Sequence, residues 1–207
     1  MTPLQTPEFS IRTMAANDIE GVVEVHIKSF PNFFLTCLGE TFLKIMYREI
    51  LNDPTGVALC AVSPENTVFG FVVGVQEQTR FYKRLAMKKC LSFALASSMS
   101  ALKNPRIIPR LFRALTYSSK SQSAACPALL LSIAVRNGMQ GNGIGKLLLV
   151  KINERMAQNG IDRVSLTTDR DNNSGANSFY VRAGFSVTSQ YKTPEGRWMN
   201  EYIKKIN

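Results

Sequence analysis

Histidine is nearly missing from this chain. Of 207 residues one is histidine, His26, and four are cysteines, Cys37, Cys60, Cys90 and Cys126, with no Cys-x-x-Cys pair among them. That scarcity argues against a metal site, and the thiols read as free side chains in a reducing compartment. No apolar run approaches the ~18 to 20 residues that a transmembrane helix needs. The opening "MTPLQTPEFSIRTM" lacks the basic start and apolar stretch of a secretory leader, so the cytoplasm is the expected compartment. Acidic residues are missing altogether between Glu77 and Glu154, where every charged residue is lysine or arginine, and the net charge is +10. A field of one sign favours an anionic partner: a phosphate-bearing cofactor, an acidic substrate, a membrane surface or a nucleic acid. Two nucleotide motifs are missing as well. No GxxxxGK[ST] stretch occurs, and GxGxxG fails because, counting from Gly141, Lys146 stands at the third glycine position.

What is present is an ordinary globular composition, 45% hydrophobic and 19% charged, on a length that suits one domain over 1–207. "FSIRTM" reads as a short strand. Asn17 or Asp18 then opens a helix with Ile19, Val22, Val23, His26 and Phe30 on one face, stopped by Pro31. A second helix is expected over 38–51. "VALCAV" and "VFGFVVGVQ" form a hairpin across "SPEN", and "ALLLSIAV" (128–135) is a buried strand. Ile144, Leu147, Leu148, Ile152 and Met156 make an amphipathic helix that ends at Asn159-Gly160. "RVSLTTD" is a strand and "SGANSFYVRAG" a helix capped by Gly184. "FSVTSQY" and "RWMNEYIKK" are a closing pair of strands.

The strand at 128–135 enters its helix through "QGNGIG" (140–145). Glycines at such a junction leave backbone N–H groups unpaired beside the positive end of the helix dipole, which is an anion site. The stretch satisfies [QR]-x-x-G-x-[GA]. Further on, "NNSGANSFYVRAGF" (172–185) places Asn173, Ala176, Tyr180, Gly184 and Phe185 in the pattern N-x-x-A-x-x-x-Y-x-x-x-G-F. On these two motifs, in this order, the chain resembles the GCN5-related N-acetyltransferase superfamily over roughly 9–78 and 126–205. The resemblance implies an α/β fold: a mixed, mostly antiparallel twisted sheet of about seven strands, splayed between the fourth and fifth and flanked by helices.

The resemblance also implies acetyl-CoA as co-substrate, without a metal, and direct transfer of its acetyl group to a primary amine in a ternary complex. Ile133, Ala134 and Val135 would pair with the pantetheine arm. The amides of Gln140, Gly141, Asn142, Gly143, Ile144, Gly145 and Lys146 would cradle the pyrophosphate. Asn173 and Ala176 would line the cofactor arm, and Tyr180 would act as general acid toward the leaving sulfur. Many relatives carry a glutamate on the fourth strand, where this chain has only Ser132. His26, Asp169 and a water chain are the alternatives for the base. Phe30, Phe33 and Phe34 are expected to wall the acceptor side.

A basic, helix-forming insertion is expected at about 79–125, where relatives have a tight turn. It reads as a lid or homodimer arm with a solvated face, as a contact for an anionic acceptor, or as a patch peripheral to the inner face of the membrane. Nucleic acid is disfavoured, since basic and aromatic residues do not interleave. The stretch 26–43 is similar to acetyltransferases of bacterial surface-sugar pathways. It points to a small-molecule acceptor, an amino sugar or a nucleotide-linked one. A peptide or protein amine is the alternative acceptor. A catalytically lapsed acyl-CoA-binding or scaffolding domain is the rival class.

Overall fold

The computed structural model describes residues 8–31, 33–87, 93 and 126–206. In chain order, β1 (Ser10–Thr13) leads through a 3-10 turn (Ala16–Asp18) into α1 (Ile19–Ser29), α2 (Phe34–Cys37) and α3 (Glu40–Asn52). Next come β2 (Gly56–Val62), β3 (Val68–Val75) and a helix α4 over 78–87. The C-terminal part holds β4 (Ala128–Val135), α5 (Ile144–Gln158), β5 (Arg163–Asp169), α6 (Ser174–Arg182), β6 (Ser186–Lys192) and β7 (Trp198–Lys205). The strands form one seven-stranded sheet in the order β1-β2-β3-β4-β5-β7-β6. All neighbours are antiparallel except β4 and β5.

Helices cover both faces of the sheet, which is why β2 and β3 read as almost unbroken apolar runs. On one face Val22, Val23, Leu43 and Tyr47 of α1 and α3 pack against Cys60, Phe71 and Val73. On the other, Ile144, Leu148, Ile152 and Met156 of α5 pack with Tyr180 and Phe185 against Val72, Leu130 and Leu166. The α5 face differs from expectation at one place. Leu147 is exposed, and Leu149 turns inward instead. The second helix also starts later, because buried Leu38 closes α2 and α3 begins two residues on.

The expected insertion falls mostly outside the described residues, at 88–92 and 94–125. What is described of it lies on the α1 and α3 face. Phe81 and Leu85 of α4 join that core, and Arg84 grips Asp53 with two bonds of 2.7 Å. Phe93 meets the ring of Phe42 at 4.6 Å.

The feature that matters for a site is where the sheet fails to pair. Strands β4 and β5 are joined only at Ala128 with Val164 and Leu129 with Ser165. On its other side β4 has a bulge, because Val73 faces Ser132 while the adjacent Gly74 faces Leu130. A bulge bends the strand that carries it and often sits beside a functional site. Here it stands where β4 leaves β5, and Ile133, Ala134 and Val135 keep only β3 as a partner.

Candidate functional site

A cleft of about 1250 Å³ opens beside the end of β4 that is not paired with β5. Leu149, Val150, Phe179 and Tyr180 line it from the α5 and α6 face, and Ser29 and Phe30 line it from the α1 face. These groups lie on opposite sides of the sheet, so the cleft passes through the sheet where its ladder is interrupted. Among the lining residues Lys146, Arg182 and Lys204 are cationic and none is acidic. An anion is therefore favoured.

The glycine loop forms one wall. Gly141 and Gly143 have φ of +85° and +77°, a left-handed backbone that costs other residues about 1–2 kcal/mol. Gly143 is also the N-cap of α5, so the reversal hands the chain directly to the helix, and no side chain caps its first turn. A Cβ at either glycine would find open space. The glycines are therefore there for backbone direction rather than for lack of room. The first-turn amides of a 15-residue helix are left for a ligand, and a pyrophosphate fits both their chemistry and the charge of the wall.

The second wall is α6. Asn173 precedes it and donates Nδ2 to Thr168 Oγ1 at 2.7 Å and to the Asp169 carbonyl at 3.2 Å, tying the start of the helix to β5. Asn177 strengthens that tie. Its Nδ2 donates to the carbonyls of Asp169, Arg170 and Asn173, and its Oδ1 accepts from Tyr202 Oη at 2.8 Å and Asn200 Nδ2 at 3.0 Å. Tyr180 is thereby held with its ring among Phe179, Phe185 and Tyr202, at centroid distances of 5.3, 5.9 and 5.8 Å. Burial, with Tyr202 adding to it, pushes its phenol up to about 12. The hydroxyl keeps its proton throughout the neutral range.

The cleft gathers Ile133, Ala134, Val135, Gln140, Gly141, Gly143, Ile144, Gly145, Lys146, Asn173, Ala176 and Tyr180, all expected at a cofactor site. Asn142 is the exception. Its Nδ2 turns back to the Met139 carbonyl at 3.2 Å, bracing the loop from behind.

The expected acceptor residues fare less uniformly. Phe30 lines the cleft, whereas Phe33 is partly exposed elsewhere and Phe34 is buried in the core under α2. His26 is fully buried and does not reach the cleft. Its Nδ1 stands 2.6 Å from Tyr47 Oη, and burial drives the imidazole down to about 4. That is the environment of a neutral core histidine. Asp169 also lies outside the cleft lining. Its carboxylate accepts from Arg197 Nε at 2.9 Å and Nη2 at 2.6 Å, joining the end of β5 to the β6–β7 hairpin. Among the described residues no group of three or more histidine, cysteine or acidic side chains is placed to hold a metal.

Two lining residues were missed by sequence reasoning. Ser29, the last residue of α1, has its hydroxyl buried without a hydrogen-bond partner among the described residues. Asn153 of α5 has neither amide atom partnered among the described residues. Its signal was readable: a polar residue set between Leu149 and Met156 on an otherwise apolar stripe.

Comparison with known proteins agrees with this architecture. The model of the "Acetyltransferase (GNAT) family" matches residues 118–185. No curated protein sequence matches the chain. Among solved structures, the chain is similar to SsHAT at 19% identity and a TM-score of 0.70, with 97% of this chain and 100% of that one covered. It is similar to the ribosomal-protein-S18-alanine N-acetyltransferase of Escherichia coli at 13% identity and a TM-score of 0.59, covering 97% and 95%. It is also similar to an aminoglycoside 6'-N-acetyltransferase complexed with coenzyme A, at 14% identity and a TM-score of 0.60, covering 96% and 97%.

Proposed function

We propose that this chain, a GNAT acetyltransferase by signature and by fold, moves an acetyl group from acetyl-CoA to the primary amine of a small molecule, an amino sugar or a nucleotide-linked amino sugar. The observation that carries the reading is the cleft itself, which enters between α5 and α6 and emerges beside Ser29 and Phe30. Two reactants approaching from opposite faces of the sheet would meet at the gap, the arrangement that direct transfer requires.

Acetyl-CoA supplies an activated acyl group as a thioester. The chain's own residues do the rest. The amides from Gln140 to Lys146 hold the pyrophosphate, with the α5 dipole and Lys146 favouring its charge. Ile133, Ala134 and Val135 offer the unpaired edge of β4 to the pantetheine arm. Tyr180 stores a proton at Oη and releases it toward the leaving sulfur. Ser29 Oγ, buried and unpartnered at the acceptor end, is placed to take a hydrogen bond from the amine or from a neighbouring hydroxyl. No residue of the chain is assigned as base, and the amine loses its proton to water in the open acceptor end. The amino-sugar class is supported by the residues of 26–43 and by the basic field between Glu77 and Glu154, which suits a nucleotide diphosphate.

Release of free thiol from acetyl-CoA, measured against a panel of amino-sugar nucleotides, polyamines and peptide N-termini, tests the proposal. Turnover confined to the amino sugars is the expected result. Turnover confined to peptides would move the chain to protein acetylation. Binding of acetyl-CoA with no release for any amine would make it a lapsed acyl-CoA-binding domain.

A further inference from the structure

Asn153 lies in the middle of α5, 6% exposed, on the stripe formed by Leu149, Ile152 and Met156. Among the described residues neither Nδ2 nor Oδ1 has a hydrogen-bond partner, yet the residue lines the cleft together with Val150, Phe179 and Ala183. A carboxamide out of water with both ends unpaired is costly to keep, and an apolar residue would complete the stripe at no such cost. Its position fixes which reactant it can serve. It sits on the α5 and α6 face, across the sheet from Ser29 and Phe30, and about two helical turns beyond the pyrophosphate loop.

We infer that Asn153 is a cofactor-recognition residue, whose carboxamide meets a hydrogen-bonding edge of coenzyme A. The inference rests on the coenzyme A reading above. Two parts of the molecule carry such an edge, the amides of the pantetheine arm and the amino-bearing edge of adenine. A trans secondary amide points its donor and acceptor in opposite directions, so Asn153 meets only one of them. Adenine sets a donor and an acceptor side by side, so both ends of the carboxamide are engaged. Either partner completes a polar group that the protein alone leaves unsatisfied.

Calorimetric titration of the intact protein and of Asn153→Leu with coenzyme A, 4'-phosphopantetheine and 3',5'-ADP tests this, together with the ligand-free melting temperature of each. The variant is expected to bind coenzyme A about tenfold more weakly, while its ligand-free melting temperature is unchanged or higher because the unpaired amide is gone. A loss seen with 4'-phosphopantetheine assigns the pantetheine arm, and one seen with 3',5'-ADP assigns adenine. A coenzyme A affinity within twofold of the wild type overturns the inference and leaves the coenzyme A reading intact. Failure of the wild type itself to bind overturns both. If Asn153→Leu does not fold, Asn153→Ala is read by the same criteria.

Discussion

His26 Nδ1 and Tyr47 Oη meet at 2.6 Å inside the core formed by α1, α3 and β3, with both side chains closed off from solvent. The ring of Phe71 stacks against the imidazole at 6.4 Å. The pair holds α1 to α3 through a polar contact, and burial favours the neutral imidazole.

Stability should therefore fall on the acid side. Burial holds the folded imidazole down to about 4, whereas the unfolded one titrates near its ordinary value of 6.5. The unfolded chain takes up the proton first, so stability is fully present above about pH 6.5 and drains away as the pH falls toward 4. The loss between pH 7 and pH 5 is about 2 kcal/mol. Urea unfolding at the two pH values should show it, and His26→Leu should shrink the difference. An unchanged difference would remove His26 as its source.

Replacing Tyr180 with Phe should lower kcat by about 10²-fold, at the lower end of what general acids contribute, while the KM for acetyl-CoA stays nearly constant. Burial holds the phenol near 12, so its ionisation should not shape the activity profile below about pH 11. Steady-state kinetics decide the point. Unchanged turnover would end the assignment.

At Gly143 the backbone is left-handed, and alanine there should destabilise the protein by about 1 kcal/mol and weaken coenzyme A binding, because the first-turn amides of α5 turn aside. Gly175 gives the contrast. Its φ is not in the left-handed range, open space surrounds it, and it lies in the first turn of α6, so Gly175→Ala should leave stability level or slightly higher. Thermal melts of the two variants separate backbone strain from any general effect of altering a glycine near the cleft.

Asp169→Asn should keep turnover within about threefold of the wild type and lower the melting temperature only slightly. The Asp169–Arg197 pair is about a third exposed, and ion pairs so exposed contribute roughly 0–1 kcal/mol. A fall of 10²-fold in kcat with loss of the acid limb of the pH profile would instead restore Asp169 as the base.

The glycine-loop wall of the cleft was legible because its information is local. The glycines of 141–145 dictate backbone direction within five residues, and the order strand, loop, helix is fixed by adjacency in the chain. β4 and β5 accordingly lie where their apolar runs lie. The end of the cleft at Ser29 and Phe30 depends on relations no short window contains. His26, Phe30, Phe33 and Phe34 share a stretch of nine residues, yet only Phe30 lines the cleft: His26 turns into the core on α1, and past the break between α1 and α2 Phe34 is buried while Phe33 packs on the outer side of Phe30. Asp169 finds Arg197 across 28 positions. Leu147 and Leu149 exchange places because two apolar neighbours fit the helical period almost equally well, and packing against β3 and α6 decides between them.

The gap between β4 and β5 reaches beyond binding. Among the described residues, only two backbone pairs of the sheet ladder join the N-terminal four strands to β5, β7 and β6, and the core under α5 bridges the same seam. Without an occupant the molecule resembles two half-sheets on a short seam, and the two halves are expected to release their amide hydrogens to exchange at separate rates. An extended ligand in the gap would supply the absent rungs from outside the chain. Its binding free energy then becomes coupling between the halves, merging two exchange classes into one. In that sense such a ligand would serve as the sheet's eighth strand.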